Sequence, residues 1–508
     1  MTDDAKPLGP RPRIGLVTRL FYGFGSVAYG IKDNGFRVFL LLFYSQVVRL
    51  DANLVSLAIL VAMLIDCLID PFIGEISDNL RSRWGRRHPF MYASALPASL
   101  SFLLLWNPPV GWEPWPTFFY LVAVAVLVRT FITFYEIPSS SLTSELTEDY
   151  NERSKLLGWR YFFGWWGGLT LMVVMFWVLM KDTPEHPVGQ LNPDAYRNYG
   201  YVAAVIMFVS IIVSALGTHR FIPWLAKAEV RARSVGTTIR DMVGTLNNRD
   251  FKIITLVGLF TAFAQGITFS LAIFFSTYFW ELDNFWTGVL VLDAYISSSL
   301  ALIAAPYFSK KVGKKVAGTV LLALSVFTGF LPLILRLMGL FPDNGDMIPG
   351  WFITLDGVKE PVPQIVPWLF LDGIVRGALG ITAAILITAM LADVVENSEL
   401  DTGRRSEGLF FAFTSLVQKA VSGIGVFAAG YIIVVIDFPK GANPADVPES
   451  VTNNLALVYM PIIALFYGIG LVIMQAYRIT RESHEATLRT LSERKALAEA
   501  AEAADIQP

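Results

Sequence analysis

Long apolar stretches recur along the chain, separated by short polar or Pro/Gly-rich breaks. Runs such as Val202 to Leu216, Val316 to Leu335 and Leu455 to Met474 approach the roughly 20 residues that a membrane-crossing helix needs. Apolar windows read against charges and breaks predict about twelve such helices, near 17–47, 52–77, 89–107, 117–140, 157–181, 199–219, 251–281, 285–309, 315–340, 365–393, 407–436 and 453–477. The fold class is therefore an all-α membrane protein. A longer polar segment, His219 to Asp250, divides the helices into two sets of six. This predicts an N-terminal half over 1–218, a cytoplasmic linker over 219–250, a C-terminal half over 251–477 and a cytoplasmic tail over 478–508. Within the linker, Val235 to Leu246 reads as a short amphipathic helix on the membrane surface.

Composition agrees with lipid as the main solvent. The 508 residues are 54% hydrophobic and 16% charged, against roughly a quarter charged in a soluble domain. The net charge of −2 says nothing about partners, since what matters in a membrane chain is where the charges fall; no nucleic-acid partner is expected. One cysteine, Cys67, excludes a disulfide framework and a thiolate metal site. Met1 to Pro12 lack the pattern of a cleaved signal peptide, so the first helix is expected to be retained as the insertion signal.

Orientation follows from Lys and Arg. Clusters such as Arg81, Arg83, Arg86 and Arg87, or Lys310, Lys311, Lys314 and Lys315, fall in the loops on one side. The opposite loops hold only Arg49, Lys181, Arg197, Arg336, Lys359 and Lys440. Both termini are thus expected in the cytoplasm of an inner-membrane, multi-pass monomer. The tail after Tyr477 reads as an exposed helix with i,i+4 charge pairs. An internal echo links the halves: Ser77 to Arg87 and Ser309 to Lys315 are both basic turns with a central glycine, at matching places. Parallel six-helix halves are the architecture of the major facilitator superfamily, with the substrate site near the bilayer midplane.

Several charges fall inside predicted spans. A charge at mid-bilayer costs roughly 2.5–3.5 kcal/mol on the mildest insertion scale, so these groups should face a partner or a wet cavity. Asp66 and Asp70, four apart and followed by Pro71, share one face of the second helix. Two adjacent carboxylates there repel, which raises one pKa or recruits a cation, so they read as a cation-coupling site and as metal ligands if the ion is sodium. A structural ion network with Arg or Lys is the alternative. Pro71 leaves the carbonyl of Cys67 without its helical donor, a further candidate ligand.

On the fourth helix, Glu136 is a candidate third carboxylate, and Arg129 either contacts solute or neutralises an acid on a neighbouring helix. Lys32, Asp33 and Arg37, with Tyr29 nearby, read either as solute contacts or as an intrahelical ion pair. Lys419 is a lone ammonium in an apolar helix, with Asp66 or Asp70 as the expected partner. Asp372 and Arg376 form an i,i+4 pair that is either structural or solute-binding, and Asp293 with Tyr295 is placed toward the same cavity.

These residues fit a longer pattern. Asp66-x-x-x-Asp70-Pro71-x-x-Gly74-x-x-x-Asp78-x-x-x-Ser82-Arg83-Trp84-Gly85-Arg86-Arg87-x-Pro89, with Ala392-Asp393-x-x-Glu396-x-x-x-x-x-Thr402-Gly403-x-Arg405-x-Glu407-Gly408 and then Gln418-Lys419, resembles the glycoside-pentoside-hexuronide:cation symporters, the group of the melibiose permeases. The resemblance implies a major facilitator fold and coupled import of a sugar or glycoside with Na⁺, Li⁺ or H⁺, without a cofactor. It assigns the cation to Asp66, Asp70, Glu136 and Lys419, solute contact to Arg160 of the fifth helix, and a cytoplasmic gate to Arg83, Arg86, Asp393 and Arg405. Two positions depart from it: Gly30 stands where melibiose permeases carry a sugar-binding aspartate, and Ser140 where they carry a stacking tryptophan. Both argue against a galactoside. The alternative within the same fold is a carrier of lysolipids or other amphiphiles. An enzyme is not expected, since no nucleophile motif and only 4 His are present.

Overall fold

The computed structural model describes residues 12–147, 149–225, 236, 240, 243–355, 358–402 and 407–505. Among them, eleven helices are long and apolar enough to cross a membrane. The twelfth expected crossing, the first, is present as a broken helix: α1 (Leu16–Phe24), a turn at Gly25 and Ser26, and α2 (Val27–Asn34), which runs on through π-helical turns to Val47. The others are α3 (Ala52–Asn79), α4 (His88–Leu105), α5 (Pro114–Leu146), α6 (Tyr150–Val174), α7 (Pro193–His219), α8 (Arg249–Phe274), α9 (Asn284–Val291) with α10 (Asp293–Val312), α11 (Lys314–Leu337), α12 (Ile365–Thr402), α13 (Glu407–Val435) and α14 (Glu449–Met474). A polar helix, α15 (Arg481–Asp505), follows and carries i,i+4 pairs of the expected kind, Arg481–Glu485 at 2.8 Å and Arg489–Glu493 at 3.1 Å. Half of the positions of the helix expected at Val235 to Leu246, and Arg405, lie outside the described residues.

Local chemistry explains the boundaries. Proline opens α4, α5 and α7, where its missing N–H costs nothing and its fixed φ suits a first turn. Asp149 caps α6 by accepting from the Glu152 N–H at 2.8 Å, and Asn192 caps α7. The break at Gly25 serves a close approach, because a Cβ there would lie 1.7 Å from the Tyr135 hydroxyl. One turn on, a Cβ at Gly30 would meet the carbonyl oxygen of Gly164 at 2.0 Å. The first crossing therefore packs backbone to backbone against α6, the small-residue contact that replaces hydrophobic driving force in lipid. No aspartate side chain fits at position 30.

The sequence did not lead to one element. Between α11 and α12, β1 (Met347–Leu355) pairs antiparallel with β2 (Val358–Pro363). The hairpin signal was there, since Asp356-Gly357 sits between runs rich in aromatic and β-branched residues.

The internal echo extends to backbone geometry. Gly85 and Gly313, the central glycines of the two basic turns, both take positive φ, at 72° and 81°, which an L side chain resists. The first and seventh crossings also end alike. Val48 donates to the Phe43 carbonyl and Leu50 to Tyr44, just as Trp280 donates to Phe275 and Leu282 to Ser276. Arg49 and Glu281 occupy the same place in the two caps, both with positive φ. This repetition supports two related halves.

By packing, the described residues fall into two units. The first comprises Met1–Val235, Gly266–Val291 and Gly423–Leu455; the second comprises Gly236–Gln265, Leu292–Ser422 and Ala456–Pro508. In the second unit, α12 presents glycine notches to its neighbours: Gly373 receives the Asp293 carboxylate, Gly377 receives Ser297, and Gly380 receives Ser325.

Candidate functional site

The expected intramembrane charges of the first four helices meet inside the first unit. α3 carries Asp66, fully buried, and Asp70, half-buried, on one face. α5 brings Arg129 and Thr133, one turn apart, against them. The Arg129 guanidinium holds Asp66 Oδ2 from Nε at 2.9 Å and from Nη2 at 2.7 Å. Thr133 Oγ1 lies 2.9 Å from Asp66 Oδ1 and 3.0 Å from Asp70 Oδ1. Of the two readings open for Arg129, the structure favours neutralising an acid on a neighbouring helix. Asp66 accordingly belongs to a buried ion pair, while Asp70 reaches the pair through the threonine hydroxyl.

Thr133 was not singled out from sequence, although its spacing from Arg129 and Glu136 places all three on nearly one face of α5. Its position poses a proton-counting problem. A hydroxyl has one hydrogen to donate, and ionised carboxylates only accept. With both acids ionised, one of the two oxygens flanking Thr133 faces a lone pair.

Span one adds a second set of charges. Lys32 is buried and contacts Asp33 at 2.7 Å, with Arg37 at 3.8 Å from the same carboxylate. Asp33 also senses the charge of Arg129, which links this set to Asp66 and Asp70. Arg129 and Arg37 lie over the rings of Phe36 and Phe269, at 5.4 and 5.8 Å. The Asp33–Arg37 pair and solute contact thus remain compatible.

Arg160 of α6 is buried. It donates to Ser139 Oγ at 2.9 Å and lies over the Tyr22 ring at 5.3 Å. Tyr22 in turn donates to the Ser139 carbonyl at 2.6 Å. Tyr29 donates to the Arg160 carbonyl at 3.4 Å and senses the charges of Arg160, Glu136 and Asp33. Glu136, half-buried, acts on both Arg160 and Tyr29. Thus Tyr29, Lys32, Asp33, Asp66, Asp70, Arg129, Glu136 and Arg160 belong to one electrostatic network on α2, α3, α5 and α6. So many ionisable groups within lipid-crossing helices mark a polar pathway.

The expected residues Asp372, Arg376 and Lys419 lie in the second unit. Asp372 and Arg376 are paired on α12 at 3.5 Å, and Asp293 of α10 interacts with both. Lys419 is half-buried on α13. Of the expected gate residues, Arg86 binds Glu145 at 2.8 Å, Arg83 is exposed over the Trp84 ring at 5.4 Å, and Asp393 binds Lys314 at 2.5 Å. Arg87, not singled out before, ties Glu145 at 2.9 Å, Ser77 at 2.8 Å and Asp78 together.

On the opposite side of the first unit, the ends of the first, fifth, seventh and eleventh crossings and the start of the eighth are bound to one another. Gln46 accepts from the Gly441 N–H at 2.9 Å, and Lys440 pairs with Asp51. Gln190 donates to Thr287 at 3.1 Å and accepts from Thr277. Trp177 donates to the Phe285 carbonyl at 3.1 Å, and Asn284 to Asp182 at 2.8 Å.

Comparison with known proteins places this arrangement. Residues 21–481 match the family model described as MFS/sugar transport protein. An uncharacterized symporter of Synechocystis is 26% identical, over 93% of this chain and 96% of the relative. The raffinose carrier protein of Pediococcus pentosaceus is 24% identical, over 92% of this chain and 70% of that one. A solved D-xylose-proton symporter has the same fold, with a TM-score of 0.59 at 14% identity, over 91% of this chain and 98% of that one. The twelve-crossing fold, the buried charge network and these matches agree: the chain is a multi-pass membrane transporter, not an enzyme, and belongs to the MFS/sugar transport protein family, within the glycoside-pentoside-hexuronide:cation symporter group that its motifs resemble.

Proposed function

We propose that this transporter couples a cation gradient to the import of a sugar or glycoside by alternating access. The observation that carries the reading is Thr133 lying between Asp66 and Asp70. Its single hydrogen serves one acid, so a proton on Asp70 or a small cation bridging the oxygens resolves the other contact. Asp70 is the exchangeable ligand, with Glu136 one turn beyond Thr133 and Lys419 as further members. Asp66 keeps Arg129 as its counterion and positions the threonine. Arg160, Tyr29, Lys32, Asp33, Asp372 and Arg376 are the proposed solute contacts. The coupling ion is Na⁺, Li⁺ or H⁺, and the carrier works as a monomer with both termini in the cytoplasm.

Uptake into proteoliposomes against a panel of hexoses, pentosides and lysolipids, with and without Na⁺ at fixed pH, tests this. Saturable uptake of a neutral sugar or glycoside, stimulated by a cation gradient, is expected. Lysolipid flux that no sugar competes would replace it with the amphiphile reading.

In this scheme, 1–218 and 251–477 are the halves that move, and Arg83, Arg86, Asp393 and Arg405 close the cytoplasmic side. The polar contacts around Gln46, Gln190, Asp51 and Lys440 are then the external closure, which opens once per cycle. Asp51→Cys combined with Lys440→Cys is expected to form a disulfide on oxidation and to stop flux by at least tenfold, with recovery on reduction. Full flux in the cross-linked protein would remove these contacts from the transport cycle.

A further inference from the structure

The end of α12 and the start of α15 bring three metal-type donors together. Asp393 and Glu396 stand three apart on α12 and so share one face. His484, in the first turn of α15, sends Nε2 to 2.6 Å from Glu396 Oε2 and 3.3 Å from Asp393 Oδ1. Among the described residues, these side chains offer one nitrogen and two carboxylate oxygens within 4.8 Å of one another. Each is held from behind. Lys314 Nζ binds Asp393 Oδ1 at 2.5 Å and fixes that carboxylate. The turn that carries His484 is capped at both its hydroxyls: Thr480 Oγ1 accepts from the Ser483 N–H at 3.2 Å, and Ser483 Oγ from the Thr480 N–H at 2.9 Å. Thr487 donates to Asn397 at 3.1 Å and Arg494 to the Leu400 carbonyl at 2.9 Å, which keep α15 along α12.

A hydrogen bond alone serves this cluster poorly. The imidazole Nε2 has one hydrogen to donate and faces two acceptors. A divalent ion among the three donors takes a lone pair from each at once. Lys314 does not block it, because an ionised carboxylate has about four lone-pair sites. Bonds of about 2.0–2.2 Å from one ion at tetrahedral angles set its ligand atoms roughly 3.3–3.6 Å apart. The separation of His484 from Asp393 already has that value, and Glu396 reaches it with a side-chain shift of about 1 Å. One imidazole with two carboxylates suits Zn²⁺ and its neighbours, whereas Mg²⁺ and Ca²⁺ take oxygen ligands. A cavity of about 690 Å³, lined by Lys310, Lys314, Asp393, Tyr477, His484 and Glu485, opens beside the cluster. It gives an ion a way in and gives water the fourth position of a three-ligand site.

We propose that Asp393, Glu396 and His484 bind one divalent transition-metal ion of the Zn²⁺ class. The ion ties α15 to the end of α12, at the residue assigned above to the cytoplasmic gate. The site does not depend on the identity of the solute or of the coupling ion.

Equilibrium dialysis of the full chain, purified without a histidine tag, against Zn²⁺ at fixed pH tests this without a transport assay. One equivalent is expected to bind and to stay bound in a large excess of Mg²⁺. His484→Ala and Glu396→Gln should each weaken it by more than the roughly 10–100-fold that loss of an outer partner costs a metal site. His219→Ala is the comparison, because His88 and His219 are the other neighbouring histidines, with ring centroids 5.8 Å apart. It should leave the affinity unchanged. Zn²⁺ should also slow hydrogen exchange of the amides of 481–494 in the native chain and not in His484→Ala. Three results overturn the proposal: an equivalent that survives His484→Ala, one that Mg²⁺ displaces, or bound Zn²⁺ that leaves exchange over 481–494 unchanged.

Discussion

Asp70→Asn is expected to lower gradient-driven accumulation by about 5–150-fold while the protein still inserts, folds and carries solute downhill. That range is what a coupling free energy of 1–3 kcal/mol is worth. The asparagine keeps the shape and can donate to Thr133 Oγ1, which answers the proton-counting problem permanently. It can no longer gain and lose a cation, so solute binding loses its link to the gradient. The check is uptake into proteoliposomes under an imposed Na⁺ or pH gradient, set beside equilibrium exchange without one. Persistent uphill uptake would remove Asp70 from the coupling site.

How much of this was legible in the chain follows from the physics of each element. Crossings are legible because lipid demands long apolar helices, and all twelve emerge near their expected places. Two features were not. The break at Gly25 depends on Tyr135, more than a hundred residues away, filling the space of the missing Cβ. The β1–β2 hairpin, between two crossings, was not expected, although the Asp356-Gly357 pair stands in the sequence between its strands.

In the site, ionisable residues stand out against an apolar background, so Asp66, Asp70, Arg129, Glu136 and Arg160 could be named. Their pairing could not. The sequence offered Arg129 several acids on neighbouring helices, and only the packing of α5 on α3 selects Asp66. Thr133 is an ordinary residue for a membrane helix and acquires meaning only between two carboxylates. Gly30 is the converse case: its departure from the melibiose permeases was visible, and its cause, the Gly164 carbonyl where a side chain would go, was not.

The pairing itself makes the second large prediction. Arg129→Gln removes one partner of an ion pair in which both residues are nearly inaccessible, and leaves Asp66 charged and buried without its guanidinium. Such a loss costs about 3–5 kcal/mol, whereas replacing both members together is far milder. Thermal unfolding in detergent should therefore show Arg129→Gln strongly destabilised, with Asp66→Asn added to it recovering most of the loss. The double variant separates structure from coupling. If Asp66 serves mainly to hold Thr133 against Asp70, the rescued protein folds and exchanges solute, yet its cation dependence weakens because the threonine is no longer fixed between two acids. A single variant as stable as the native chain would mean that water reaches the Asp66–Arg129 pair and that it is no buried scaffold. Full stability with full coupling in the double variant would place the cation site on Asp70 and Glu136 without help from Asp66.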